Sequence, residues 1–219
     1  MTNYKNMIIK KPWGYEYLFY ENALVAVWCL HINKGEATSL HCHPNKKTGL
    51  IMLDGEAELS FLNDSVPLKP LSRHILRPGL FHSTKAISDS ILLEVETPPN
   101  KEDIVRFNDK YGRKGKPIER QLTPMISDFP MLSDGCFIGE YWIDINKFNK
   151  TPKEAVIAIL SGGLIAGEDL IVGPGDVGSM SSLLRLSKSF KILSTWFLFL
   201  RSSLSIFLSL MAFNFASKI

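Results

Sequence analysis

Three histidines carry the chemistry that this sequence can do. His41 and His43 stand on either side of Cys42, and His82 follows the turn Pro78-Gly79 further along the chain. Residues i and i+2 of a strand point to the same face, so the two imidazoles can act together. A third imidazole from a neighbouring strand completes a facial set. Such a set holds a divalent ion and leaves coordination positions open. Zn²⁺, Mn²⁺, Fe²⁺ and Ni²⁺ all suit three imidazoles. His31 and His74 fall outside this spacing and read as structural residues. Glu94 and Glu96 are the acidic residues that the expected strand order brings near the histidines. They are the candidate catalytic bases, and either could complete a metal shell. Lys46, Lys47, Arg77 and Lys85 flank the ligand positions and read as substrate-binding cations for a phosphate or carboxylate.

These residues need short strands to position them, and the sequence supplies such strands. Leu24 to Ile32 is β-rich, with Val25, Val27, Cys29 and His31 on one face. Leu50 to Leu53 ends at Asp54-Gly55, a hairpin signal, with Glu56 to Leu62 as the expected partner strand. Ser72 to Leu76 leads into Pro78-Gly79, and Ile91 to Val95 closes the series before Thr97-Pro98-Pro99. This spacing implies an antiparallel sandwich or barrel. Lys101 to Tyr111 is the exception. Ile104, Val105, Phe107 and Tyr111 fit a short amphipathic helix, with Asn100 as its cap.

The histidine spacing resembles the two signature motifs of the cupin superfamily. Gly35, His41, His43 and Gly55 fall in register with the first motif, and Gly79 and His82 with the second. Thr48 stands where the first motif has glutamate, so the fourth ligand is open between water, Glu94 and Glu96. Pro78 sits one place late, and Ala86 replaces the asparagine of the second motif. The resemblance spans roughly Lys11 to Pro98. Lys11-Pro12-Trp13-Gly14-Tyr15-Glu16 is similar to the opening of the mannose-6-phosphate isomerase-like cupins, which include domains attached to sugar-nucleotide enzymes of polysaccharide synthesis. The resemblance implies an all-β jelly-roll barrel, a divalent metal cofactor and a sugar or sugar phosphate as ligand. It leaves two main functions open: an isomerase or epimerase of carbohydrate metabolism, or a non-catalytic sugar- or metabolite-binding module. An iron dioxygenase is a third, weaker fit. Trp13 and Tyr15 read as core or rim aromatics.

Composition bounds the rest. The chain has 219 residues, enough for one large domain or two small ones, and 45% of them are hydrophobic. A net charge of +3 without a long basic run points away from nucleic acid. Three scattered cysteines without a CxxC fit a reducing compartment. Met1 to Lys11 is polar, with no apolar leader, so a cytoplasmic protein is expected. A homodimer is compatible with all of this.

The expected organisation is a cupin barrel over 1–111, a Gly- and Lys-rich linker over 112–117, a partial, histidine-free cupin-like unit over 118–180, and an apolar helical tail over 181–219. The second unit rests on an echo. The order of apolar strand, Gly turn, strand and Gly173-Pro174-Gly175-Asp176 repeats that of Ile51 to Gly79. In the tail, 13 of the 25 residues from Ile192 to Ala216 are Leu, Ile or Phe. Phe197, Leu200, Leu204, Phe207, Leu208, Met211 and Phe215 share one helical face. Three readings stay open for it: a packed or interfacial helix, a membrane span that would tie the protein to a membrane, or a non-native extension.

Overall fold

A computed structural model of the chain describes residues 4–113, 122–124, 137–142, 155–186, 191–192 and 196–201. Apolar runs cut by Gly, Pro and Asn turns fold into strands along the whole first unit. These are β1 (Met7–Lys11), β2 (Gly14–Glu21), β3 (Ala26–Ile32), β4 (Leu40–Cys42), β5 (Lys47–Asp54), β6 (Ala57–Ser60), β7 (Ser65–Leu68), β8 (Arg73–Leu76), β9 (Ser83–Ala86), β10 (Ser90–Thr97) and β11 (Val105–Asn108). With β12 (Leu122–Pro124), a seven-stranded sheet runs β12-β1-β2-β3-β10-β5-β8. A smaller sheet runs β7-β6-β9, and β11 pairs with β4. Every pairing is antiparallel. Neighbours in space are often distant in sequence, as in a jelly roll. Pro67 fits because β7 lies at a sheet edge, where a missing N–H donor costs no ladder bond.

The large sheet is buried on both faces, which is why its strands read as continuous apolar runs as often as alternating ones. On the inner face Ala26, Trp28, Leu30, Leu50, Met52 and Leu92 pack with Ala57, Leu59 and Leu68 of the smaller sheet. On the outer face Val25, Val27, Cys29, Ile51, Leu93 and Val95 meet Val156, Ala158 and Leu160 of the second unit. His31 is also on this outer face, stacked on Tyr15 with ring centroids 4.3 Å apart. Burial lowers its pKa to about 4, so it is a neutral aromatic in a packed layer.

The second unit is built of strands. They are β13 (Phe137–Trp142), β14 (Val156–Ser161), β15 (Leu164–Ala166), β16 (Asp169–Val172) and β17 (Val177–Ser179), followed by α1 (Met180–Leu186), β18 (Lys191–Ile192) and β19 (Trp196–Arg201). They form two sheets, β13-β19-β14-β17 and β16-β15-β18. Lys47 Nζ reaches Asp176 Oδ1 at 2.6 Å between the units, and Asn22 Nδ2 donates to the Leu160 carbonyl at 3.1 Å.

Four expectations are corrected. Asp54-Gly55 is not a hairpin. β5 pairs with β10 and β8, while β6 pairs with β7 and β9, so this turn carries the chain from one sheet to the other. Gly55 has φ +80°, and a Cβ there would lie 2.2 Å from the Asp89 carbonyl oxygen. The segment Lys101–Tyr111 is not helical. It forms turns and β11, and Asn100 Oδ1 accepts the Glu102 N–H at 3.1 Å in a local turn. The strand is favoured because β4 needs a partner, and Val105 and Phe107 suit a pleated surface. The apolar tail is strand at Lys191–Ile192 and Trp196–Arg201. Short apolar runs carry both periods, and here two neighbouring strands on either side of β19 decide the matter. Residues 202–219 lie outside the described residues, as do 114–117 of the expected linker. Finally, residues 122–124 lie inside the expected second unit, yet they pair with β1 and extend the first sheet. Among the described residues, no helix is long and apolar enough to cross a membrane.

Candidate metal centre

Backbone pairing sets the three histidines side by side. His41 N–H donates to the His82 carbonyl at 3.0 Å, and His82 N–H donates back at 2.8 Å. Side chains of directly opposed residues share a face, and His43 follows two residues after His41 on that face. The turn after His43 is held by Gly79 N–H donating to the His43 carbonyl at 2.8 Å. Gly79 has φ +76°, a conformation glycine adopts without strain. Cys42 falls between the two histidines and points the other way.

The ring centroids of His41 lie 4.9 Å from His43 and 4.5 Å from His82, and those of His43 and His82 are 5.4 Å apart. Each ring offers one nitrogen, and these nitrogens all lie within 4.8 Å of one another. The other nitrogen of each ring is tied to the backbone. His41 Nδ1 donates to the Ser39 carbonyl at 2.6 Å, His43 Nδ1 to that of Asp103 at 2.6 Å, and His82 Nδ1 to that of Leu80 at 3.0 Å. A carbonyl only accepts, so each Nδ1 carries the ring proton and each Nε2 keeps its lone pair. Nε2 of His43 and of His82 is buried without a hydrogen-bond partner.

The rings are also neutral. Burial, then the neighbouring His82 and His43, hold His41 well below its ordinary value. Burial and Lys46 take His43 down to about 2, and burial lowers His82 as well. Three neutral imidazoles with oriented, buried lone pairs fit a divalent cation. Among the described residues no carboxylate oxygen joins the set at that range. Thr48, at the usual glutamate position, is buried with its hydroxyl unpartnered, opposite Glu96 across the β5–β10 ladder.

Beside the histidines lies a cavity of about 60 Å³ whose walls carry an unusual density of charge. This is room for a few waters or the polar end of a small molecule. Lys46 Nζ donates to Glu96 Oε1 at 2.6 Å and to the Asn100 carbonyl at 3.1 Å. Glu16 Oε1 meets Lys101 Nζ at 2.9 Å and Lys11 Nζ at 3.4 Å. Lys101 also lies over the Trp28 ring, 3.8 Å from its centroid, a cation–π contact. Burial pushes the Glu16 carboxyl up, but Lys101 and Lys11 outweigh it and hold it below the usual range. Among the described residues no cation forms an ion pair with Glu94. Burial raises its pKa to about 7, with Glu96 and Glu16 adding to the effect and Lys101 and Lys46 opposing it.

The sequence-predicted residues therefore separate. His41 and His43 line the cavity with Lys46, Glu94 and Glu96. Lys46 is buried and committed to Glu96, so it is not a surface cation awaiting an anion. Lys47 faces the second unit and pairs with Asp176. Arg77 and Lys85 are exposed and do not line the cavity. Trp13 does line it, as a buried core residue, whereas Tyr15 stacks on His31 on the outer face. Sequence reasoning missed Lys11, Glu16, Lys101, Asp103 and Arg106. The first two sat in a motif read only for its family resemblance. The others lay in a segment assigned to a helix, which hid the strap that β11 makes across β4.

No family model and no curated protein matches this chain. Solved structures do resemble it. KdgF from Halomonas sp. is 15% identical, with a TM-score of 0.40, over 41% of this chain and 84% of that one. A conserved protein with a double-stranded β-helix domain from Klebsiella pneumoniae is 20% identical, with a TM-score of 0.39, over 50% and 90%. The capsular polysaccharide assembling protein CapF from Staphylococcus aureus is 16% identical, with a TM-score of 0.40, over 47% of this chain and 34% of that one. At these identities and scores nothing about the chemistry of this chain follows from them.

Proposed function

We propose that the first unit is a metal-binding cupin of carbohydrate metabolism that moves a proton on a small sugar or sugar phosphate, as an isomerase or epimerase does. One observation carries this reading. Two of the three clustered neutral imidazoles, His41 and His43, line a pocket with Glu94, a buried carboxyl with a pKa of about 7. His41, His43 and His82 would hold the ion through Nε2. When bound, a divalent cation there supplies Lewis acidity toward a substrate oxygen.

The remaining work falls to the chain itself. A carboxyl with a pKa near the working pH can take a proton from carbon and return it, because both of its forms are populated. Glu94 has that property, while Glu96 is held by Lys46. Lys101, held by Glu16 and Trp28, places a fixed positive charge in the wall. That charge favours an anionic group on the ligand. The motif Lys11 to Glu16, which resembles that of the mannose-6-phosphate isomerase-like cupins, supports the sugar assignment. Its Lys11 and Glu16 side chains line the same cavity.

The test is a set of aldose, ketose and uronate substrates, with and without phosphate, incubated in D₂O with Zn²⁺- or Mn²⁺-loaded protein. Deuterium should enter one substrate at carbon, and E94Q should lose that exchange by at least two orders of magnitude. Tight binding of a sugar with no exchange would instead make the unit a binding module.

A further inference from the structure

We infer that Asp103 is a positioning residue for His43, acting through a clamp between the strap that contains it and the turn after the histidine. Its carboxylate accepts three hydrogen bonds from that turn. Oδ2 takes the Asn45 N–H at 2.9 Å and the Lys46 N–H at 3.0 Å, and Oδ1 takes the Asn45 side-chain amide at 2.9 Å. The carbonyl of the same residue takes His43 Nδ1–H at 2.6 Å. One residue thus grips the turn with its side chain and the imidazole with its backbone. The other two histidines are oriented differently. Their acceptors, Ser39 and Leu80, lie two residues back in their own segments, so local geometry suffices. His43 alone takes its orienting carbonyl from a segment sixty residues away in sequence.

The β11–β4 ladder keeps the strap near His43 from Val105 onward, opposite Cys42, but the carboxylate is what fixes the Asp103 carbonyl against the turn after the histidine. Without it the ring could turn, or shift its proton to Nε2, and lose the lone pair that faces His82. Partners that orient a metal-ligating histidine typically account for about 10- to 100-fold in metal affinity. The strap has further ties at its far end, where Lys110 Nζ reaches Glu36 at 2.6 Å and the Tyr111 hydroxyl donates to the Ala37 carbonyl at 3.2 Å. Loss of Asp103 should therefore loosen the clamp locally and leave the strap attached.

This role presupposes the metal reading of the three histidines, but part of its test does not need a metal. Long-range ¹⁵N–¹H spectra of the metal-free full chain report the tautomer of each histidine. In the wild type all three should carry the proton on Nδ1. In D103A, His43 alone should become mixed, and Zn²⁺ titration should show affinity weakened about 10- to 100-fold. D103N keeps an oxygen for the two backbone donors and should stay within about threefold of wild type, with a pure His43 tautomer. If D103A does not fold, N45A removes one of the three bonds and should move both readouts in the same direction by less. An unchanged His43 tautomer and unchanged Zn²⁺ affinity in folded D103A or N45A would overturn the proposal, as would D103N matching the defect of D103A. A wild type with the predicted tautomers but no Zn²⁺ affinity would sink the metal reading, with the tautomer shift in D103A still deciding the clamp.

Discussion

Replacing Glu94 by glutamine should change how stability depends on pH, by an amount the structure sets. Glu94 is buried on the inner face of β10, and the charged groups facing it are Lys101, Glu96, Glu16 and Lys46. Its folded pKa is raised from 4.5 to about 7, chiefly by burial. A raised carboxyl pKa means the folded state binds the proton more tightly than the unfolded state. Its contribution is fully present below about pH 4.5 and is lost as pH rises through about 7. Going from 4.5 to about 7, at 1.36 kcal/mol for each pH unit, amounts to about 3 kcal/mol. E94Q is neutral at every pH and escapes this loss. It should match the wild type within about 1 kcal/mol at pH 5 and exceed it by about 3 kcal/mol at pH 8.5. In a chain of this size that corresponds to roughly 6 to 12 °C in Tm. Urea and thermal unfolding of both metal-free proteins at half-unit steps from pH 5 to pH 9 give the difference curve directly. Other titrating groups largely cancel between the two proteins. A flat difference curve would show that Glu94 ionises normally, and the acid–base role would go with it.

Three further outcomes follow from the charge network and the contact between units. K46M leaves Glu96 buried without its cation and should destabilise the chain by about 3 to 5 kcal/mol in urea unfolding. K47M breaks a half-exposed pair with Asp176 and should cost no more than about 1 kcal/mol in the same assay, so similar losses would contradict the burial assigned to Lys46. G49A adds a Cβ 2.5 Å from Val177 Cγ1 and 2.6 Å from the Gly175 carbonyl oxygen. The second unit must shift, which should cost about 1 to 3 kcal/mol and raise protease cleavage in 155–186 above that in 4–113. Equal cleavage of both regions would contradict the packing of β5 against β17.

The clustering of the three histidines was legible in the sequence because their geometry is local. An i, i+2 pair on a strand and a histidine after a Pro-Gly turn are short-range features, and strand pairing needed only to join them. The all-β class was legible for the same reason: Gly and Pro turns cut the chain at strand length. The cavity wall was not. Lys11, Glu16, Lys46, Glu96 and Lys101 come from three strands, the turn before β5 and one strap, and only the register of the closed barrel brings them together. Gly55 misled because a Gly turn signals a change of direction without saying in which sheet the chain continues. Lys101 to Tyr111 and the apolar tail misled because short apolar patterns fit two periods. There the choice lies with neighbouring strands that no local window contains.

The central claim is that His41, His43 and His82 hold one divalent ion through Nε2. X-ray absorption at the metal edge, on protein purified without added metal and quantified by elemental analysis, tests it most directly. About one ion per chain is expected, with three nitrogen neighbours at roughly 2.0–2.1 Å if it is Zn²⁺, and the signal should disappear in H41A, H43A and H82A alike. No bound ion even after loading with Zn²⁺, Mn²⁺, Fe²⁺ or Ni²⁺, or an ion that survives loss of any one of these histidines, would contradict it.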